Sequence, residues 1–141
     1  MKILALIALA FVFLAVVRTA FGQGGGPRIE PTEAAAKVRA GEAILIDVRE
    51  PAEWSEGVAA PAYLLPLSDL RGARKKWSHV LATAKKENKQ VLLYCRSGNR
   101  SGQAANILAK EGFDVANVGG FRDWNRANLP LRAPDEPAGN E

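Results

Sequence analysis

Short apolar runs alternate with longer stretches in which apolar residues recur every three or four positions. The runs are Ala43–Ile46, Val91–Tyr94 and Val115–Val118, with a weaker one at Tyr63–Leu65. Nearly continuous apolar character over so few residues predicts strands buried on both faces. Between them the spacing predicts helices over Glu33–Ala40, Ala73–Lys86, Ser101–Glu111 and Phe121–Asn128, with short turns after Pro51 and at Asp69–Arg71. In the second of these, Trp77, Val80, Leu81 and Ala84 share one face and the lysines take the other. Thr32 and Ser68 suit N-caps, while Gly41, Asn88, Gly112 and Pro130 suit helix stops. Gly57 to Pro61 reads as loop and Gly119-Gly120 as a tight turn. Strands alternating with amphipathic helices imply a three-layer α/β fold: a mostly parallel central sheet with helices on both faces. Such sheets take their ligands at the carboxyl ends of the strands.

The first 22 residues have a different pattern. Lys2 precedes 15 uninterrupted apolar residues, Ile3 to Val17, and Ala20-Phe21-Gly22 offers small residues at a cleavage site. This is the layout of a secretory signal peptide over 1–22. The run is short for a membrane span, which needs roughly 20 residues, although an uncleaved membrane anchor is the alternative. The expected organisation is then a flexible glycine-rich leader at 23–30, one domain at 31–132 and a mobile polar tail at 133–141. Localisation follows as periplasmic or secreted, with no stable membrane anchor once the signal is cleaved.

Charge adds little. Loss of Lys2 and Arg18 lowers the formal net charge from +4 to +2, and the remaining basic residues are interspersed with acids. That is an ordinary solvated surface, and no nucleic-acid partner is expected.

The candidate chemistry lies at Cys95, the single cysteine, which ends the Val91–Tyr94 run and opens Cys95-Arg96-Ser97-Gly98-Asn99-Arg100-Ser101. An exported chain with one cysteine forms no internal disulfide. A thiol at a strand end, beside a polar loop and a helix start, is a nucleophile candidate rather than a core residue, because such surroundings favour the thiolate. Gly98 permits the loop to curl so that backbone N–H groups converge on one point, an anion-binding nest. Such a nest holds a thiolate, a persulfide or an incoming oxyanion. Arg96 and Arg100 are candidates to bind an oxyanion through paired hydrogen bonds, with Ser97 and Asn99 completing the loop.

Other chemistries are poorly supplied. The one histidine, His79, lies among lysines on the helix at Trp77–Leu81, so no base is evident for a hydrolytic triad. One Cys and one His do not make a tetrahedral metal set, and no cofactor is expected.

Four segments in order, Leu45-Ile46-Asp47-Val48-Arg49-Glu50-Pro51-Ala52-Glu53-Trp54, Pro66-Leu67, Cys95–Ser101 and Gly119-Gly120-Phe121-Arg122-Asp123-Trp124, resemble the rhodanese family, specifically its single-domain members. The resemblance spans about residues 31 to 130. It implies the rhodanese-like fold and a thiosulfate-type sulfurtransferase: Cys95 as catalytic nucleophile, a persulfide intermediate, and Arg96, Ser97, Gly98, Asn99 and Arg100 as substrate-binding loop. Asp47, Arg49 and Ser101 are implied as supporting residues, with Asp47 and Arg49 bracing the fold. The partners implied are a small sulfur-containing donor and a thiophilic acceptor such as cyanide or a thiol, or a protein acceptor.

One segment departs from the family pattern. Where members usually carry Gly-His-Ile-x-Gly-Ala, this chain reads Gly57-Val58-Ala59-Ala60-Pro61-Ala62. Two other readings stand beside the enzyme: a persulfide carrier or interaction module serving a protein partner, and a phosphatase of related fold. The phosphatases place five residues between cysteine and arginine to encircle a phosphate. Only four separate Cys95 from Arg100.

Overall fold

A computed structural model describes residues 25–139; the expected signal peptide at 1–22 lies outside the described residues. The elements in chain order are α1 (Pro31–Arg39), β1 (Ala43–Asp47), a 3₁₀ helix (Pro51–Glu56), β2 (Val58–Ala59), β3 (Tyr63–Leu64) and α2 (Leu67–Arg71), then α3 (Trp77–Lys86), β4 (Gln90–Cys95), α4 (Asn99–Lys110), β5 (Val115–Gly120), α5 (Phe121–Arg126) and β6 (Leu131–Arg132).

Four strands form one sheet in the order β3-β1-β4-β5, every pair parallel. Successive residues of a strand face opposite sides, so each strand feeds two cores. Ile44, Ile46, Val91, Leu93 and Cys95 face one layer, with Trp77, Leu81, Ala104 and Leu108 from α3 and α4. Ala43, Leu45, Leu92 and Tyr94 face the other, with Ala34 and Ala35 of α1 and Trp124 of α5. This is the expected three-layer fold with its mostly parallel sheet. Among the described residues no helix is long and apolar enough to cross a membrane.

Several boundaries differ from the sequence reading, each for a local reason. Helix α3 begins at Trp77 rather than Ala73, because residues 72–76 form a turn in which Arg74 has φ of 55°. The Asp69 carboxylate fixes that turn by accepting the N–H groups of Lys75 and Lys76 at 3.2 and 2.9 Å. The expected loop at Gly57–Pro61 contains β2, which pairs antiparallel with β6. Val58, in the place of the family's usual histidine, is fully buried in that ribbon.

The segment expected as a flexible leader is packed from residue 25 onward. Asn117 donates its N–H to Pro27 O at 2.8 Å, and Ile29 donates to Asn117 O at 3.2 Å, which lays the segment beside β5. Residues 133–138, expected as part of a mobile tail, are exposed. That stretch is nevertheless held at two points: Arg132 Nη1 donates to Glu136 O at 2.7 Å, and Gly139 N–H reaches Ala60 O at 3.0 Å.

Candidate active site

Cys95 is the last residue of β4, and α4 starts four residues later. The connecting loop turns at Gly98, whose φ of 94° is a conformation that side chains disfavour. This turn sends the Gly98 N–H back to Cys95 Sγ at 3.0 Å. Ser101 Oγ lies 3.4 Å from the same sulfur. Burial pushes the thiol pKa up. The Ser101 hydroxyl and the amides of Ser101, Ser97 and Gly98 together outweigh burial and hold it below the ordinary cysteine value. The first turn of α4 supplies part of this amide cluster, because its leading N–H groups have no partner within the helix.

The sulfur is shielded. Cys95 has no solvent exposure and packs in the apolar layer with Ile46 and Leu93, whereas the sequence pattern pointed to a nucleophile candidate rather than a core residue. The side chains of Arg96, Ser97 and Asn99 point to solvent around it. Asn99 accepts a hydrogen bond from Gln103 Nε2 at 2.7 Å. A cavity of about 400 Å³, lined by residues that include Arg28, Thr32, Val118 and Arg126, does not include Cys95.

Arg100 is paired within the chain. Its Nη1 and Nη2 meet Glu53 Oε2 and Oε1 at 2.6 and 2.7 Å. That guanidinium is the main cause holding the Glu53 carboxyl at about 2. Glu53 sits on the 3₁₀ helix, and its Oε2 also accepts the Glu50 N–H at 2.9 Å. The arginine expected to face an incoming oxyanion is therefore already engaged by an internal carboxylate.

Asp47 and Arg49 form a knot on the opposite side of the sheet. Arg49 Nη2 and Nε meet Asp47 Oδ2 at 2.8 and 3.1 Å, and both side chains are almost wholly buried. Tyr94 donates its hydroxyl to Asp47 Oδ2 at 2.6 Å and accepts the Ala59 N–H at 3.0 Å. Arg49 also donates to Gly57 O at 2.8 Å and lies 4.2 Å from the Phe121 ring centroid. Its contacts tie the carboxyl end of β1 to the loop before β2 and to α5. Tyr94 and Cys95 are neighbours in sequence but face different layers, so this knot does not touch the sulfur.

Asn117 was not singled out from sequence, and Gly120, read there as part of a tight turn, is strand. Asn117 and Gly120 lie on β5, beside the cysteine loop. The Asn117 side chain is buried and makes three hydrogen bonds. Nδ2 donates to Gly98 O at 2.9 Å, and Oδ1 accepts from Ser101 Oγ at 2.8 Å and from the Gly119 N–H at 3.0 Å. The available signal was one polar residue inside an otherwise apolar strand. At Gly120, a Cβ would stand 2.6 Å from Arg96 O, so β5 and the loop approach more closely than any side chain allows. Among the described residues, no three His, Cys, Asp or Glu side chains are grouped to hold a metal ion.

The family profile described as Rhodanese-like domain matches residues 30–127. A protein named sulfurtransferase from Allochromatium vinosum is 34% identical over 99 residues, covering 67% of this chain and 82% of its own length. An uncharacterised Bacillus subtilis protein is 35% identical over 126 residues, covering 86% of this chain and 90% of its own. Among solved structures, a rhodanese-related protein from Thermoplasma volcanium superposes with a TM-score of 0.61 at 25% identity, over 76% of this chain and 98% of its own. A human single-domain sulfurtransferase has the same fold at 23% identity, with a TM-score of 0.56 over 72% of this chain and 97% of its own.

Proposed function

This chain belongs to the rhodanese-like sulfurtransferase family, and from that premise we propose that Cys95 carries a sulfane sulfur from a donor such as thiosulfate to a thiophilic acceptor. One observation carries the reading: the loop N–H groups and the Ser101 hydroxyl converge on a single sulfur and favour its anionic form.

The Cys95 thiolate attacks the outer sulfur of thiosulfate. A bond forms between Sγ and that sulfur, the donor's S–S bond breaks, and its electron pair leaves with sulfite. An acceptor, cyanide or a thiolate, then attacks the outer persulfide sulfur, and the Cys95 thiolate returns as leaving group. Charge rests on sulfur at the start of each displacement, so the same amides serve both steps. Because Cys95 is fully buried, the donor's approach requires the structure around it to open. The N-terminal pattern supports a place of work outside the cytoplasm, periplasmic or secreted.

The test is thiocyanate formation from thiosulfate and cyanide by the wild type and by Cys95→Ser. Turnover lost in the variant supports the reading, and equal turnover rejects it. The shielding of Cys95 favours a second reading, a carrier whose loop opens on a protein acceptor. A single stoichiometric transfer that needs another protein, with no multiple turnover on small acceptors, would select that alternative.

A further inference from the structure

Ser101 has one hydroxyl proton and two acceptors in reach, Asn117 Oδ1 at 2.8 Å and Cys95 Sγ at 3.4 Å. We propose that Asn117 is a positioning residue for Cys95, acting through the Ser101 hydroxyl and the Gly98 carbonyl. The proposal rests on Cys95 being the reacting sulfur.

The two bonding patterns correspond to two states of that sulfur. As a thiol, Cys95 donates its S–H to Ser101 Oγ, and Ser101 donates to Asn117 Oδ1. As a thiolate or persulfide anion, the sulfur accepts a hydrogen bond from the Ser101 O–H, and Asn117 Oδ1 keeps the Gly119 N–H as a donor. Asn117 thus gives Ser101 an acceptor in one state and releases it in the other, without exposing a buried polar group. Through Nδ2 it also fixes the Gly98 carbonyl, and with it the residue whose N–H points at Sγ.

Asn117 is itself held from outside the loop. Pro27 O accepts its N–H, and its carbonyl accepts the N–H of Ile29. The segment making those bonds lies against α4, where a Cβ on Gly102 would come within 3.1 Å of Gly25 Cα. Residues 25–29 precede the family match, so this chain braces its sulfur loop with a stretch outside the family profile.

The test titrates Cys95 in the full chain by ultraviolet thiolate absorbance, with the Cys95→Ser signal subtracted at each pH. Asn117→Ala frees the Gly98 carbonyl, so the Gly98 N–H loses its aim at Sγ, and the midpoint is expected to rise by about one unit, roughly a tenfold loss of thiolate at a pH below it. Asn117→Ser, smaller and polar, is read in the same way. In combination with Ser101→Ala, the Asn117→Ala rise should be larger than in the wild type, because in the wild type loss of the Oδ1 acceptor also leaves the Ser101 hydroxyl to the sulfur and offsets part of the rise. A folded Asn117 variant with the wild-type midpoint, or strict additivity with Ser101→Ala, overturns the proposal. If neither Asn117 variant folds, the Asn117 side-chain amide resonances of the wild type decide. They should move with the Cys95 titration, and resonances blind to it overturn the proposal. The titration needs no sulfur donor, so its outcome is separate from that of the thiocyanate assay.

Discussion

The Glu53 carboxylate meets the Arg100 guanidinium through two parallel hydrogen bonds of 2.6 and 2.7 Å, at the edge of the cysteine loop. A sulfonate-bearing donor that uses Arg100, as the sequence pattern expects, competes with this carboxylate for the same guanidinium. Glu53→Gln is therefore expected to lower the KM for thiosulfate severalfold. A higher KM would mean that the carboxylate positions Arg100 for the donor.

The same pair sets a dependence on acid. The Glu53 pKa is lowered in the folded protein to about 2 from an ordinary 4.5, chiefly by Arg100, so the folded state favours the carboxylate. Its stabilisation is complete above the unfolded value and is lost as the pH falls from there toward 2. Both side chains are partly hydrated, at 22% and 30% exposure, and screening leaves about 1–2 kcal/mol. Urea midpoints for the wild type and Glu53→Gln should converge on acidification, and a constant gap would contradict the assignment.

Sulfur loading should follow the ionisation of Cys95. Its pKa lies below that of an ordinary thiol, against the pull of burial, because the Ser101 hydroxyl and three amides hold the anion. The rate of persulfide formation, read by mass spectrometry after brief exposure to thiosulfate, should rise with pH and level off before an ordinary thiol would ionise. A rate still climbing well above that range would show that the cradle does not stabilise the thiolate.

Arg49→Ala is expected to destabilise the fold strongly. It leaves Asp47, itself fully buried, without its cation, at a cost of about 3–5 kcal/mol. Tyr94→Phe removes only one hydroxyl from the same knot and should cost about 1–3 kcal/mol. Denaturant melts rank the two, and an Arg49→Ala loss no larger than that of Tyr94→Phe would argue against the knot as a brace.

Gly120→Ala tests the contact between β5 and the cysteine loop. The new methyl meets a backbone oxygen, Arg96 O, at 2.6 Å, so one of the two segments must shift. Thiosulfate turnover should fall by an order of magnitude or more while the melting temperature drops only modestly. Full activity would show that the loop tolerates displacement.

Much of the architecture is visible in the order of residues, because buried parallel strands and amphipathic helices have different periods. Ala43–Ile46 and Val91–Tyr94 needed no other signal to mark β1 and β4. The Cys95 loop is equally plain, since a glycine, two serines and two arginines follow an apolar run directly. What the pattern does not carry is pairing between distant segments. Glu53 meets Arg100 across 47 residues, and Asn117 meets Ser101 across 16. The stretch from Gly25 to Ile29 reads as a loose leader because its glycines carry no side chain. Those glycines instead allow close approach to α4, which only the folded partner reveals. Arg74 delays the start of α3 through a left-handed turn that the carboxylate of Asp69 fixes.

Adjacent positions 94 and 95 look toward separate layers of the sheet, one toward the Asp47 carboxylate and one toward the Gly98 amide. Reactivity and scaffold are consequently modular at single-residue resolution. A descendant that exchanged its sulfur for a hydroxyl or a methyl would keep every strut beneath the opposite helices, and would be free to become a silent docking platform with the ancestral outline intact.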